Sequence, residues 1–140
     1  MSKEPDRLYI DKNDRKLYEN IELDENGDKF FEGKTRKDQF IFAMATGFIN
    51  NVHQPLDTKE NFFLTKDLRR EDEAIINAVA LFANDIEILK DTEKVFKIAE
   101  EYAHAGVKIL NDNIKSTVHG SFWKHYEKDL HESYNKYSRR

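Results

Sequence analysis

The sequence predicts an all-α protein, a single-domain bundle or irregular array of four to five helices with room for one short N-terminal strand. Three observations carry that reading. Only two prolines and five glycines punctuate 140 residues, too few for the turns of a many-stranded fold. The run Glu73–Leu89, EAIINAVALFANDIEIL, has helical length, four alanines and no internal turn residue, which favours a helix over a pair of buried strands. Stepped at roughly 100° per residue, it gathers Ile75, Val79, Phe82, Ile86 and Leu89 on one face, with Ile76, Ala78 and Ala83 widening it. Ala74, Leu81 and Ile88 form a second apolar line outside that face. A helix so apolar around its circumference is expected at the centre of the molecule, covered on more than one side.

The other elements follow in order. Met1–Asp6 is polar and expected to be loose. Arg7–Asp11 alternates, Leu8 and Ile10 against Arg7 and Tyr9, and permits the one short strand. Asp11 or Asn13 can cap a short helix to about Ile21, with Leu17 and Tyr18 inward. Ile21–Gly33 is acidic and turn-rich, broken most sharply at Asp24–Gly27 and anchored by Phe30 and Phe31. Thr35 with Asp38 reads as a capping box that uses Asp in place of Glu. It opens a helix, Arg36–Phe48, carrying Phe40, Met44, Gly47 and Phe48 on one side and Phe42 and Ile49 on the other. Asn50–Glu60 is a loop with Leu56 as its tether, and Asn61–Leu64 is either extended or the entry to a helix.

Thr65 or Asp67 caps the central helix, which can begin near Arg70. Asp91-Thr92 opens the next, Glu93–Lys115, striped by Val95, Ile98, Ala99, Tyr102, Gly106, Ile109 and Leu110. A glycine inside a helix costs about 1 kcal/mol, so Gly106 predicts a close crossing, with Glu73–Leu89 as the expected partner. A last helix over residues 121–137 aligns Phe122, Trp123, Tyr126, Leu130, Tyr134 and Tyr137 for docking on the core or on a partner subunit.

Composition excludes several classes. The chain lacks cysteine, which removes disulfide frameworks, thiolate metal sites and cysteine nucleophiles and suits a reducing compartment. Net charge is −4 with 36% charged residues of both signs, unlike a globally steered polyanion binder. The N-terminal residues lack an apolar signal core, and no run approaches the ~18 apolar residues of a membrane span. The expectation is a cytoplasmic protein with no membrane partner.

Two stretches, KTRKDQFIFAMATGF (Lys34–Phe48) and AEEYAHAGVKIL (Ala99–Leu110), resemble in order and spacing a family of small proteins encoded beside DNA-phosphorothioation gene clusters, dnd-system-associated protein 4. The segment Asp72–Leu89 is similar to the middle of that family, and the likeness spans roughly residues 15–115. These are mostly helix-packing residues and include no catalytic motif. Where the family carries Asn-Gly after Tyr-Ala, this chain has His104-Ala105 before Gly106. The resemblance implies an accessory component of a DNA-modification defence system, with a protein partner from the same locus.

Site chemistry is sparse. Glu101 and His104 have the Glu-x-x-His spacing of di-iron bundles, but no second copy accompanies them. The stripe through Ile98, Tyr102 and Ile109 predicts that both face solvent. His119, His125 and His131 are each six residues apart, which places successive ones about 240° apart around a helix; they read as surface histidines. A nucleophile elbow, phosphate loop and dinucleotide fingerprint are all missing. The sequence therefore predicts no enzyme, no cofactor and no metal.

Two interaction readings remain. The first is a non-catalytic interaction protein, a homodimer with Ala74, Leu81, Ile88, Trp123, Tyr126 and Tyr134 as candidate interface residues. The second is a sequence-tolerant nucleic-acid binder using basic helix starts, Lys34, Arg36 and Lys37 at one and Lys66, Arg69 and Arg70 at another.

Overall fold

A computed structural model of the chain describes residues 5–22 and 35–116, with Leu130 alone beyond them. It is mostly helical. In chain order come β1 (Arg7–Asp11), α1 (Arg15–Glu22), α2 (Arg36–Ile49), β2 (Lys59–Leu64), α3 (Arg70–Ala83) and α4 (Thr92–Ser116). Three short 3-10 turns, Lys12–Asp14, Thr65–Asp67 and Ile86–Lys90, precede α1, α3 and α4.

The expected N-terminal strand is present, and its partner is the segment left open between strand and helix. β1 and β2 pair antiparallel, with a register shift between Leu8 and Tyr9 that leaves Phe62 as the extra residue. Side chains alternate faces along a regular strand, and a bulge breaks that alternation. Phe62 and Phe63 are accordingly both buried, beside Leu8 and Ile10 from β1.

Helix starts follow their sequence signals closely. Asp11 accepts the Asn13 N–H and caps the turn into α1. Thr35 and Asp38 form the expected box: the Thr35 hydroxyl accepts the Asp38 N–H, and Asp38 accepts the Thr35 N–H. α3 begins at Arg70 as expected, but its cap comes from within, Asp72 accepting the Arg69 N–H at 2.8 Å, rather than from Thr65 or Asp67. Asp91 caps α4 through the Lys94 N–H. α2 ends where Asn51 takes a positive φ of 56°, a left-handed closure that Asn tolerates. Leu56 is half-buried in the loop that follows.

Two expectations are corrected. The central helix is α4, which packs against α1, α2, α3 and β1. Glu73–Leu89 is not continuous: α3 stops at Ala83, and Asp85 caps a separate 3-10 turn by accepting the Glu87 N–H. Its core face is Ile76, Val79 and Ala80 rather than the full expected stripe. Phe82 and Ile86 are 55% and 69% exposed. The physical reason is one-sided packing: among the described residues, α3 meets α4 and α2 through Ile76, Val79 and Ala80 and no described helix or strand packs on its opposite flank.

The second correction concerns Gly106. It is buried at a close helix crossing, but against α2 rather than α3. A Cβ at Gly106 would collide with the Ala43 carbonyl oxygen and the Gly47 backbone, and a Cβ at Gly47 would collide with the Tyr102 carbonyl oxygen. Glycines on both helices therefore set the α2–α4 approach. Around that crossing the core gathers Phe40, Met44, Ala99, Tyr102, Ala103 and Leu110.

Candidate interaction surfaces

The paired starts of α2 and α3 form the first candidate site. Lys37 Nζ reaches Asp72 Oδ2 at 2.7 Å and Asp38 Oδ1 at 3.4 Å. The hydrogen bond that Lys37 donates to Asp72 outweighs burial and raises the ammonium pKa. The same Asp72 oxygen caps α3, so one carboxylate locks the two helix starts together. Arg36 lies 5.4 Å from the Phe62 ring centroid and donates to the Phe62 carbonyl. Arg15 approaches the same ring while pairing with Glu60.

Arg36, Lys37 and Arg69 meet in one cleft of about 760 Å³. Asp38 and Asp67 line it too, and Lys37 is neutralised by its carboxylate partners. Lys66 and Arg70 are exposed but outside the lining, and Lys34 lies outside the described residues. The cleft is nearly charge-balanced, and the helix N-termini inside it are already capped.

The outer flank of α3 is the second. Ile75, Ala78 and Phe82 follow one another at spacings of three and four, a single helical row. All three are exposed, and Ile86 and Leu89 extend the apolar surface into the next turn. The Phe82 ring lies 5.9 Å from the Phe48 ring centroid. Of the sequence-derived interface residues, Ala74 and Leu81 are exposed, whereas Ile88 is partly buried against the core. Ile88 also sits beyond the end of α3, so the three do not form one helical line. Trp123, Tyr126, Tyr134 and the three C-terminal histidines lie outside the described residues.

A third feature was not anticipated. Three ionisable side chains, Asp11, Asp14 and His104, are buried together. His104 Nδ1 lies 2.5 Å from Asp14 Oδ2, and its Nε2 lies 3.9 Å from Asp11 Oδ2. This overturns the solvent-facing reading of His104; α4 is enclosed on more of its circumference than the Ile98–Ile109 stripe implied. Glu101, half-buried, approaches His53 at 3.8 Å instead. Burial pushes the Asp14 carboxyl above its usual range against the pull of His104. Burial acts on Asp11 as well, but the N–H groups of Asn13, Asp57 and Thr58 together hold its carboxyl below that range. One turn before His104, Glu100 is buried and accepts the Tyr9 N–H at 2.9 Å. Burial raises its pKa to about 7. No grouping of three or more metal-ligating side chains occurs among the described residues.

The sequence carries a decisive family signal. Residues 7–123 match DNA sulphur modification system-associated protein 4. The chain belongs to this family. The match includes both stretches that carry the resemblance and extends over β1 and the whole of α4. Comparison with curated proteins and with solved structures gave no match. Among the described residues no helix is long and apolar enough to cross a membrane.

Proposed function

We propose that the protein is a non-catalytic, cytoplasmic interaction component of a DNA sulphur modification system, and that it works as a homodimer joined through the outer flank of α3. The single observation that carries this is the row Ile75–Ala78–Phe82, whose two large apolar side chains, Ile75 and Phe82, are exposed on either side of a small exposed alanine. Exposed apolar patches of this kind mark association surfaces. The row is self-complementary. Laid antiparallel against a second copy about a two-fold axis near Ala78, Ile75 of each chain meets Phe82 of the other, with the small alanines letting the helices approach.

Light scattering during size exclusion tests this. The wild type is expected near twice 16.6 kDa, and Ile75→Glu combined with Phe82→Lys is expected to run as a folded monomer. A wild-type mass near 16.6 kDa at micromolar concentration rejects the dimer. A double variant that stays dimeric moves the interface elsewhere, with Trp123, Tyr126 and Tyr134 next in line.

The convergence of Arg36, Lys37 and Arg69 favours a second reading, sequence-tolerant nucleic-acid binding. Its counterweight is the carboxylates in the same cleft. A binder is retained on a DNA column at low salt and released as salt rises, and Arg36→Glu with Arg69→Glu abolishes that retention. A protein that flows through at low salt ends this reading.

A further inference from the structure

The small sheet has two edges, and only one of them is closed. Along an antiparallel pair, backbone groups alternate between the partner strand and the open side. The bonds from the Lys12 N–H to the Thr58 carbonyl and from the Thr65 N–H to the Asp6 carbonyl fix that phase at both ends of the ladder. Tyr9 with Asn61 opposite, and Arg7 with Leu64 opposite, therefore turn their backbone groups outward. On β1 the outer edge is closed by α4, where Glu100 accepts the Tyr9 N–H. On β2 it is open: among the described residues nothing accepts the N–H of Asn61 or of Leu64.

Two arginines stand where a third strand would lie. Arg15 Nη2 donates to the Asn61 carbonyl at 3.0 Å, and Arg36 Nη1 donates to the Phe62 carbonyl at 3.4 Å. Side-chain N–H groups thus meet carbonyls that an incoming backbone would meet with its own. Beside this edge runs the cleft of about 760 Å³, bordered by Phe62–Leu64 of β2 and by Thr35–Asp38 at the start of α2. Leu64, 38% exposed, adds an apolar contact there. We propose that the outer edge of β2 binds an extended acidic peptide segment of a partner protein, which joins the sheet as a third strand.

Charge selects the acidic class. Lys37 is matched by Asp72 and Asp38. The Arg36 guanidinium has only its long carbonyl bond and the Phe62 ring, and that of Arg69 pairs with no carboxylate among the described residues. Against these two cations the cleft sets one unmatched carboxylate, Asp67. An incoming strand's N–H groups take over the edge carbonyls, and Arg36 and Arg69 turn to its carboxylates, a stronger bond than a neutral carbonyl provides. A phosphate backbone has no N–H groups for these carbonyls, which favours peptide over nucleic acid here. This edge uses none of Ile75, Ala78 and Phe82, so peptide binding does not depend on the α3 dimer.

Backbone amide exchange of the full chain tests this, with a blocked peptide of alternating Glu and Val as the probe. At free peptide about ten times its Kd, exchange at Leu64 should slow about tenfold, because only the unbound fraction exchanges freely. Exchange at Tyr9, on the closed edge, should stay as it is. Leu64→Pro removes the outward N–H and spares the β1–β2 ladder, since Leu64 has a φ of −90°, close to proline's range, and its nitrogen does not serve β1. By anisotropy of a labelled peptide, this variant is expected to lose binding, and Arg36→Glu to weaken it about tenfold. Should Leu64→Pro not fold, a fully N-methylated peptide, which cannot donate, takes its place and is expected not to bind the wild type. Leu64 exchange unmoved by the Glu–Val peptide overturns the site. So does equal binding by a folded Leu64→Pro, by the N-methylated peptide, or by a Lys–Val peptide. Single-stranded oligothymidylate is the rival probe: if it slows Leu64 exchange as the peptide does, the cleft belongs to nucleic acid and the peptide site falls.

Discussion

At the scale of single residues, the most consequential feature is a carboxyl in the wrong place for a charge. Glu100 is buried, and its pKa rises from 4.5 to about 7. A group whose folded pKa is raised holds its proton more tightly when folded, so its stabilising contribution is complete below the unfolded value. It is lost as pH climbs from 4.5 through about 7. The full loss is on the order of 3 kcal/mol at 1.36 kcal/mol per unit. Glu100→Gln, which retains the acceptor, is therefore expected to be more stable than the wild type at pH 8, with the advantage vanishing near pH 5. Denaturant titrations at both values check this, and equal differences at the two pH values would contradict it.

His104 illustrates the opposite hazard, a buried group whose partner depends on it. Removing one member of a buried pair leaves the other charge uncompensated, at roughly 3–5 kcal/mol, whereas removing both is far milder. His104→Leu alone is expected to destabilise by that order, and Asp14→Leu added to it to recover most of the loss. Additive losses in the double variant would show that the pair is not coupled.

Among the elements, those whose signals are local were legible in the sequence. Thr35 with Asp38, Asp91, and the alternation of Leu8 and Ile10 each specify a start or a face within a few residues. The Asp72 cap was less legible because it satisfies the Arg69 N–H from inside α3 while also binding Lys37 of α2. Periodicity identified α3 as a helix but misjudged its core face: Ile75 and Ile76 are adjacent and equally apolar, and only the placement of α4 decides which is buried. The Asp11–Asp14–His104 cluster was not legible at all, because His104 follows Asp14 by ninety residues and a lone histidine carries no spacing signal.

Gly106 was half legible: the close crossing was implied, its partner was not. In an exposed helix, Gly106→Ala would stabilise by up to about 1 kcal/mol. Here the new Cβ meets backbone of α2 rather than a movable side chain, so a loss on the order of 1–3 kcal/mol is expected. Thermal melts give the sign, and a raised midpoint would mean that the two helices separate freely.

At the scale of the whole molecule, α3 is the element with two apolar sides. Its inner side, Ile76, Val79 and Ala80, is committed to the bundle, and its outer side is apolar with no covering element among the described residues. Association with a second copy uses that surface without demanding anything of the polar cleft at the α2 and α3 starts, so the dimer and the nucleic-acid reading can be tested independently. The chain has no cysteine of its own, which makes the most direct measurement simple. A single cysteine introduced as Ala78→Cys falls at the proposed two-fold axis, where two antiparallel copies bring their backbones within reach of a disulfide. Under mild oxidation this variant is expected to convert to a covalent dimer much faster than Lys97→Cys, placed at an exposed position of α4. Cross-linking of Ala78→Cys no faster than that control would contradict the α3 interface.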